Sequence, residues 1–134
     1  MEQKQKVAYL KALIYIAAAD DTVQDSERAQ FTELGKLYGL TNQEVQEIAD
    51  SVIKKEESLE SILAGITDRP IKLLLLYDLL AICYADNNYS IAEKNTMKTI
   101  AALLEIEGSK LTDMENVMTE SVELHEKINK ILEK

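Results

Sequence analysis

Ala19-Asp20-Asp21-Thr22-Val23-Gln24-Asp25-Ser26-Glu27 and Ala85-Asp86-Asn87-Asn88-Tyr89-Ser90-Ile91-Ala92-Glu93 carry one pattern twice. Each has Ala-Asp, an apolar side chain three positions after the aspartate, and a glutamate four positions beyond that. Asp20 and Asp86 stand 66 positions apart in a chain of 134 residues, close to half its length. The register persists on both sides. Leu10, Leu13 and Ile16 align with Leu76, Leu79 and Ile82; Phe31, Leu34, Leu37 and Leu40 align with Met97, Ile100, Leu103 and Ile106. Both sets keep the spacing of a helix face. Each copy therefore reads as an apolar-faced helix, a short acidic loop and a second apolar-faced helix, and the chain as a duplicated unit.

Composition agrees with a helical reading. Four glycines and one proline leave little material for hairpin turns or a glycine-rich phosphate loop. At 46% hydrophobic the chain can build its own core, and its length suits one domain. We expect an all-α fold: a single compact domain over residues 1–134, with about seven helices, pseudo-two-fold duplication and repeat halves of about 1–67 and 68–134. One cysteine excludes an intrachain disulfide and fits a reducing, cytoplasmic setting. Lys4, Lys6 and Lys11 before the apolar run 12–19 imitate a secretion signal. The run is short, however, and reappears at 79–85, which duplication explains better. The stretch 73–85 contains Asp78 and is too short to span a bilayer, so no direct membrane insertion is expected.

Net charge is −9, distributed as +2 over residues 1–18, −8 over 19–68 and −3 over 69–134. No basic stripe exists to neutralise phosphates, which argues against nucleic acid as a partner. Cations or basic protein surfaces suit the acidic middle.

Periodicity and capping signals place the helices. The first is expected from about Gln3 to Ala19, with Val7, Leu10, Leu13, Ile14 and Ala17 on its apolar face, and the second from about Asp25 to Tyr38. Gly39 ends the second as the residue just past the helix. Thr41 with Glu44 forms a capping box for a third helix, bearing Val45, Ile48, Val52 and Ile53, to about Lys55. Ser58 opens a short fourth. Pro70 is allowed only in the first turn of a fifth, about Arg69 to Ala85, whose nearly all-round apolarity marks packing on several sides. A sixth is expected from about Ile91 to Glu105, and Gly108-Ser109 opens a seventh to about Leu132. Along the seventh, Leu111, Met114, Met118, Val122, His125, Ile128 and Leu132 form one stripe, with the methionines read as core.

The acidic loops copy the second half of an EF-hand loop, where the last glutamate gives two oxygens to calcium and the apolar residue bridges to a paired loop. Val23 and Tyr89 would bridge, with Glu27 and Glu93 as last ligands. The first half is missing: earlier ligand positions fall on Ile16 and Ala18, and on Ile82 and Tyr84. Ordinary calcium loops are therefore short of oxygens here. The same acids also have a structural reading. Ser90 and Glu93 fit a capping box, and Asp20 and Asp86 could accept loop amides. Against that, an aspartate at a helix carboxyl end meets an unfavourable dipole of about 0.3–1 kcal/mol.

Helix, Ala-Asp-x-x-apolar-x-x-x-Glu and helix, twice within a small acidic chain, resembles the TerB family of tellurite-resistance proteins, which takes in the amino-terminal domain of membrane-anchored DnaJ-type co-chaperones. The resemblance implies an all-α domain of about seven helices, a stress-response or signalling role, and an acidic cluster that binds metal. Carried over by position, its ligands would be Asp20, Asp21, Glu27, Asp86 and Glu93, holding a divalent cation such as calcium, magnesium or manganese. Asp21 and Asn87 stand where the family's turns use glycine.

Asp78 sits among Ile71, Leu74, Leu75, Ala81 and Ile82; a buried lone carboxylate would be costly. Its side of the helix is therefore expected to be partly exposed, near a basic side chain or at a partner surface, which allows a homodimer. Cys83 reads as a small buried hydrophobe, His125 as an edge residue, and the six tyrosines as bordering the core. A single histidine supplies neither a confirmed hydrolytic base nor a zinc set. The expectation is a non-catalytic module that docks a protein partner and carries a divalent cation at its loops. Metal sensing or buffering is the alternative, and a carboxylate-based metal enzyme ranks below both.

Overall fold

The structure, a computed structural model, describes residues 2–17, 25–84 and 89–133, without the side chains of residues 25–28 and 30. Among the described residues there are seven α-helices and no strand. They are α1 (Gln3–Ala17), α2 (Asp25–Leu37), α3 (Asn42–Ile53), α4 (Leu59–Ala64), α5 (Arg69–Tyr84), α6 (Ile91–Leu103) and α7 (Gly108–Leu132). The chain packs as two compact units, Met1–Leu75 and Leu76–Lys134, divided within α5. Helix ends fall in matching register. Both ends of α2 and α6, and the starts of α1 and α5 and of α3 and α7, stand 66 positions apart.

In the first unit α1 packs against α2, α3 and α4. Tyr9, Leu10 and Ile14 are fully enclosed, and Ala8 and Ala12 let neighbouring helices come close. Val45, Ala49 and Val52 form the buried stripe of α3, one residue per turn. Thr41 caps it: Thr41 Oγ1 accepts the Glu44 amide at 3.1 Å, and Glu44 Oε1 accepts the Thr41 amide at 3.0 Å. Gly35 lies where α2 meets α3; a Cβ there would overlap Val45 Cγ2.

Gln5 is the one polar residue in the described core, at 4% exposure. Its Oε1 accepts the backbone amides of Thr67 and Asp68, at 3.2 and 3.3 Å, and its Nε2 donates to Asp68 Oδ2 at 3.2 Å. The linker into α5 is thus held from the first turn of α1. An enclosed side-chain amide without partners would be costly, and these three bonds satisfy that of Gln5. Nearby, Lys11 Nζ meets Glu57 Oε1 at 2.7 Å, and Ser61 Oγ donates to Glu57 Oε2 at 2.8 Å.

The second unit is built from the rest of α5 with α6 and α7. Its core holds Leu76, Leu79, Leu80, Cys83, Met97, Ile100, Leu104, Ile106, Leu111 and Met118. Both α2 and α6 end in the same hydrogen-bonded turn. Leu40 N donates to Gly35 O and Gly39 N to Lys36 O; Ile106 N donates to Ala101 O and Glu105 N to Ala102 O. This left-handed helix stop places Gly39 at φ 79° and Glu105 at φ 60°. The end of α3 repeats it with Lys55 at φ 58°.

Three expectations about side-chain placement need correction. Helix α5 is not enclosed all round: Leu74 and Tyr77 are 49% and 41% exposed, because its buried residues follow a single stripe through Leu75, Leu76, Leu79, Leu80 and Cys83. Tyr9 does not border the core but lies inside it, edge-on to Tyr38 with ring centroids 6.0 Å apart. On α7 the apolar stripe is covered only at Leu111 and Met118; Met114 and Val122 are half-buried, and His125, Ile128 and Leu132 are exposed. A helix of 25 residues runs about 38 Å, longer than a small packed unit can cover.

Candidate functional site

Asp20, Asp21 and Asp86 lie outside the described residues, and so does the side chain of Glu27. The backbone of Glu27 is third in α2, and Glu93 is third in α6. Both acids therefore occupy the first turn of a helix, where backbone amides point outward and a negative charge is favoured.

Glu93 shows what that position does. Its Oε1 accepts the Ser90 amide at 3.0 Å, while Ser90 Oγ accepts the Glu93 amide at 3.1 Å, a reciprocal capping box. A carboxylate with one oxygen on a helix amide differs from the bidentate last ligand of a calcium loop. Any cation at Glu93 would be met mainly through Oε2.

Tyr89, the apolar position of the second pattern, is tied to α7. Its hydroxyl donates to Glu115 Oε2 at 2.7 Å, and its ring stacks on Tyr84, centroids 4.6 Å apart at 29°. Lys94 Nζ sits 5.7 Å from the ring centroid, a cation–π contact. Burial pushes the phenol's pKa well up, and the Glu115 hydrogen bond and charge push further, so Tyr89 stays a neutral donor at ordinary pH. Sequence reasoning gave Tyr89 the place of a residue bridging to a paired loop and missed its bond to Glu115 on α7. No local signal marks Glu115, which is one of five acids within the seventh helix.

The other candidates are spread out. Asp78 is half-buried on α5, beside exposed Tyr77 and Ala81. Cys83 is buried at 1% exposure. His125 lies on the exposed part of α7 and lines a groove between α5 and α7 with Tyr84, Met118 and Val122. Among the described residues no three His, Cys, Asp or Glu side chains come together in a metal-holding group. None of the described helices is long and apolar enough to cross a membrane.

A family model described as "Tellurite resistance protein TerB" matches residues 6–116, from the first helix into the first third of α7. Neither the curated proteins nor the solved structures give a match to the chain.

Proposed function

The chain belongs to the TerB family, and from that premise we propose that it is a non-catalytic helical module built by duplication, docking a protein partner of basic surface through its acidic interhelical segments. The observation that carries this reading is the acidic pattern itself. It occurs twice at one offset, before helices whose two ends stand at that same offset, in a chain of net charge −9. Packing alone does not call for a recurring Ala-Asp, because a carboxylate adds no apolar surface and repels other acids nearby. A cationic counterpart offsets that cost. A divalent ion held by Asp20, Asp21, Glu27, Asp86 and Glu93 would do so within the chain, and a lysine- or arginine-rich partner surface would do so between chains. On α5, Asp78 with Tyr77 and Ala81 offers a second docking position.

The absence of catalysis is part of the proposal. Its support is the spacing of potential reactive groups: Cys83 is enclosed, His125 lies on the exposed part of α7, and neither adjoins a described acid cluster. A purely structural role for the acids has its own support in the Ser90–Glu93 capping box. The two readings separate on Asp20→Asn/Asp86→Asn, which leaves both capping boxes in place. Titration calorimetry with calcium, magnesium and manganese, together with capture of partners from lysate, should show binding by the parent chain that the double variant loses. Equal behaviour of the two chains would leave the acids as caps and turns and remove the docking role from the loops.

A further inference from the structure

Helix α7 has two apolar faces, and the body of its unit covers only one. Leu111, Glu115, Met118 and Val122 follow the covered side, with Leu111 and Met118 buried and the other two half-buried. At 100° per residue, Val117, Leu124, Ile128 and Ile131 point about 140° away from that side. Their exposures are 48%, 58%, 40% and 79%. With Ser121 they stand at intervals of four, three, four and three residues, the seam of a coiled coil, over about 21 Å of helix.

We propose that this outer face pairs antiparallel with α7 of a second copy. The charges along its edge choose the occupant and the direction. Asp113 and Glu120 follow one another at seven-residue spacing along the open edge, and Lys127 takes the next place on the same edge. When Ser121 is layered against Leu124 of the other copy, and Val117 against its Ile128, Glu120 on the solvent edge meets Lys127 of that copy. Symmetry makes the contact twice. In a parallel pair the corresponding edge contacts are Glu120 with His125 and Lys127 with Leu132, and no opposite charges meet. The face is therefore complementary to itself in one direction only. The opposite edge of the seam is occupied by the helix's own unit through Met118, so the charged edge is the one left open to decide register.

A seam this short lies at the small end of specific interfaces, and association in the range of about 10–100 µM follows. Sedimentation velocity of the full chain from about 1 to 500 µM reads it directly, with circular dichroism to confirm that each variant is folded. The parent chain should shift from monomer to dimer across that range, and Leu124→Glu or Ile128→Glu should stay monomeric while fully helical. Glu120→Lys alone and Lys127→Glu alone each convert two attractions into two repulsions and should weaken association about tenfold. The combined charge swap should return it to within about threefold of the parent. A parent chain that is monomeric at 500 µM overturns the pairing and assigns the face to a different protein. Retained dimerisation in Leu124→Glu, or a double swap no better than the singles, overturns it equally.

Discussion

Glu105→Gly should stabilise this protein, although it removes a side chain and touches no core residue. Glu105 occupies the left-handed position that ends α6, at φ 60°, where Gly39 serves at the end of α2 with φ 79°. Holding a residue with a Cβ in that region costs about 1–2 kcal/mol. Glycine relieves that strain but loses about 0.4–1 kcal/mol through the larger freedom it gives the unfolded chain. The difference is a net gain of about 0.5–1 kcal/mol, or a rise in Tm of about 2–4 °C for a chain of this size. The turn's own bonds survive, because Ile106 N to Ala101 O and Glu105 N to Ala102 O involve backbone alone. Glu105→Ala and Glu105→Gln supply the comparison, since each removes the charge and leaves φ positive. Urea melts followed at 222 nm should rank glycine above both. Gly39→Ala should lose about 1 kcal/mol in the same assay. If glycine at 105 is no better than alanine or glutamine, the gain belongs to charge and the conformational reasoning is refuted.

Other substitutions probe the remaining contacts. Thr41→Ala and Ser90→Ala should each cost about 0.5–2 kcal/mol by removing one arm of a capping box, read by chemical denaturation. Gly35→Ala should cost about 1–3 kcal/mol, because Val45 is a β-branched helix residue with one comfortable rotamer and cannot easily turn its Cγ2 aside; a Tm within a degree of the parent would contradict that. Glu57 has its pKa held down, first by the Lys11 hydrogen bond and then by Ser61. The folded state thus binds fewer protons than the unfolded one at acid pH. The bridge's contribution is full above the ordinary carboxylate range and fades as pH falls through the depressed value. With both side chains partly exposed the contribution stays under about 1 kcal/mol, and Lys11→Met should flatten the acid side of the stability–pH curve by that amount.

What the sequence made legible were features written in local chemistry. Thr41 and Glu44, Ser58, Gly39 and Pro70 mark helix ends with their own side chains or backbone limits, and the structure has helices ending or starting at each of them. The all-helical class followed from periodicity and from the scarcity of glycine and proline. What stayed hidden depends on distant parts of the chain. Glu105 carries no glycine signal at a position that needs one, because the neighbouring turn bonds outweigh its strain. Gln5 looks like a solvent-facing residue among lysines, and its burial follows only from where residues 67 and 68 return. The second face of α7 was concealed for a different reason: Leu124, Ile128 and Ile131 mix with glutamates, and periodicity alone cannot say which of two stripes a neighbour covers. Of the candidate site, the recurring acids were readable, whereas the tie from Tyr89 to Glu115 required a long-range pairing.

The Gln5 clamp also bears on how the chain reaches its fold. Its bonds join residues 62 and 63 positions apart, and α4, which packs on α1, ends three residues before Thr67. We expect the clamp to tighten late, once α1 has packed on α4 and the linker has been brought to it. Gln5→Leu should therefore leave the refolding rate near that of the parent while unfolding accelerates. The clamp would then govern how long the native state lasts rather than how quickly it is found.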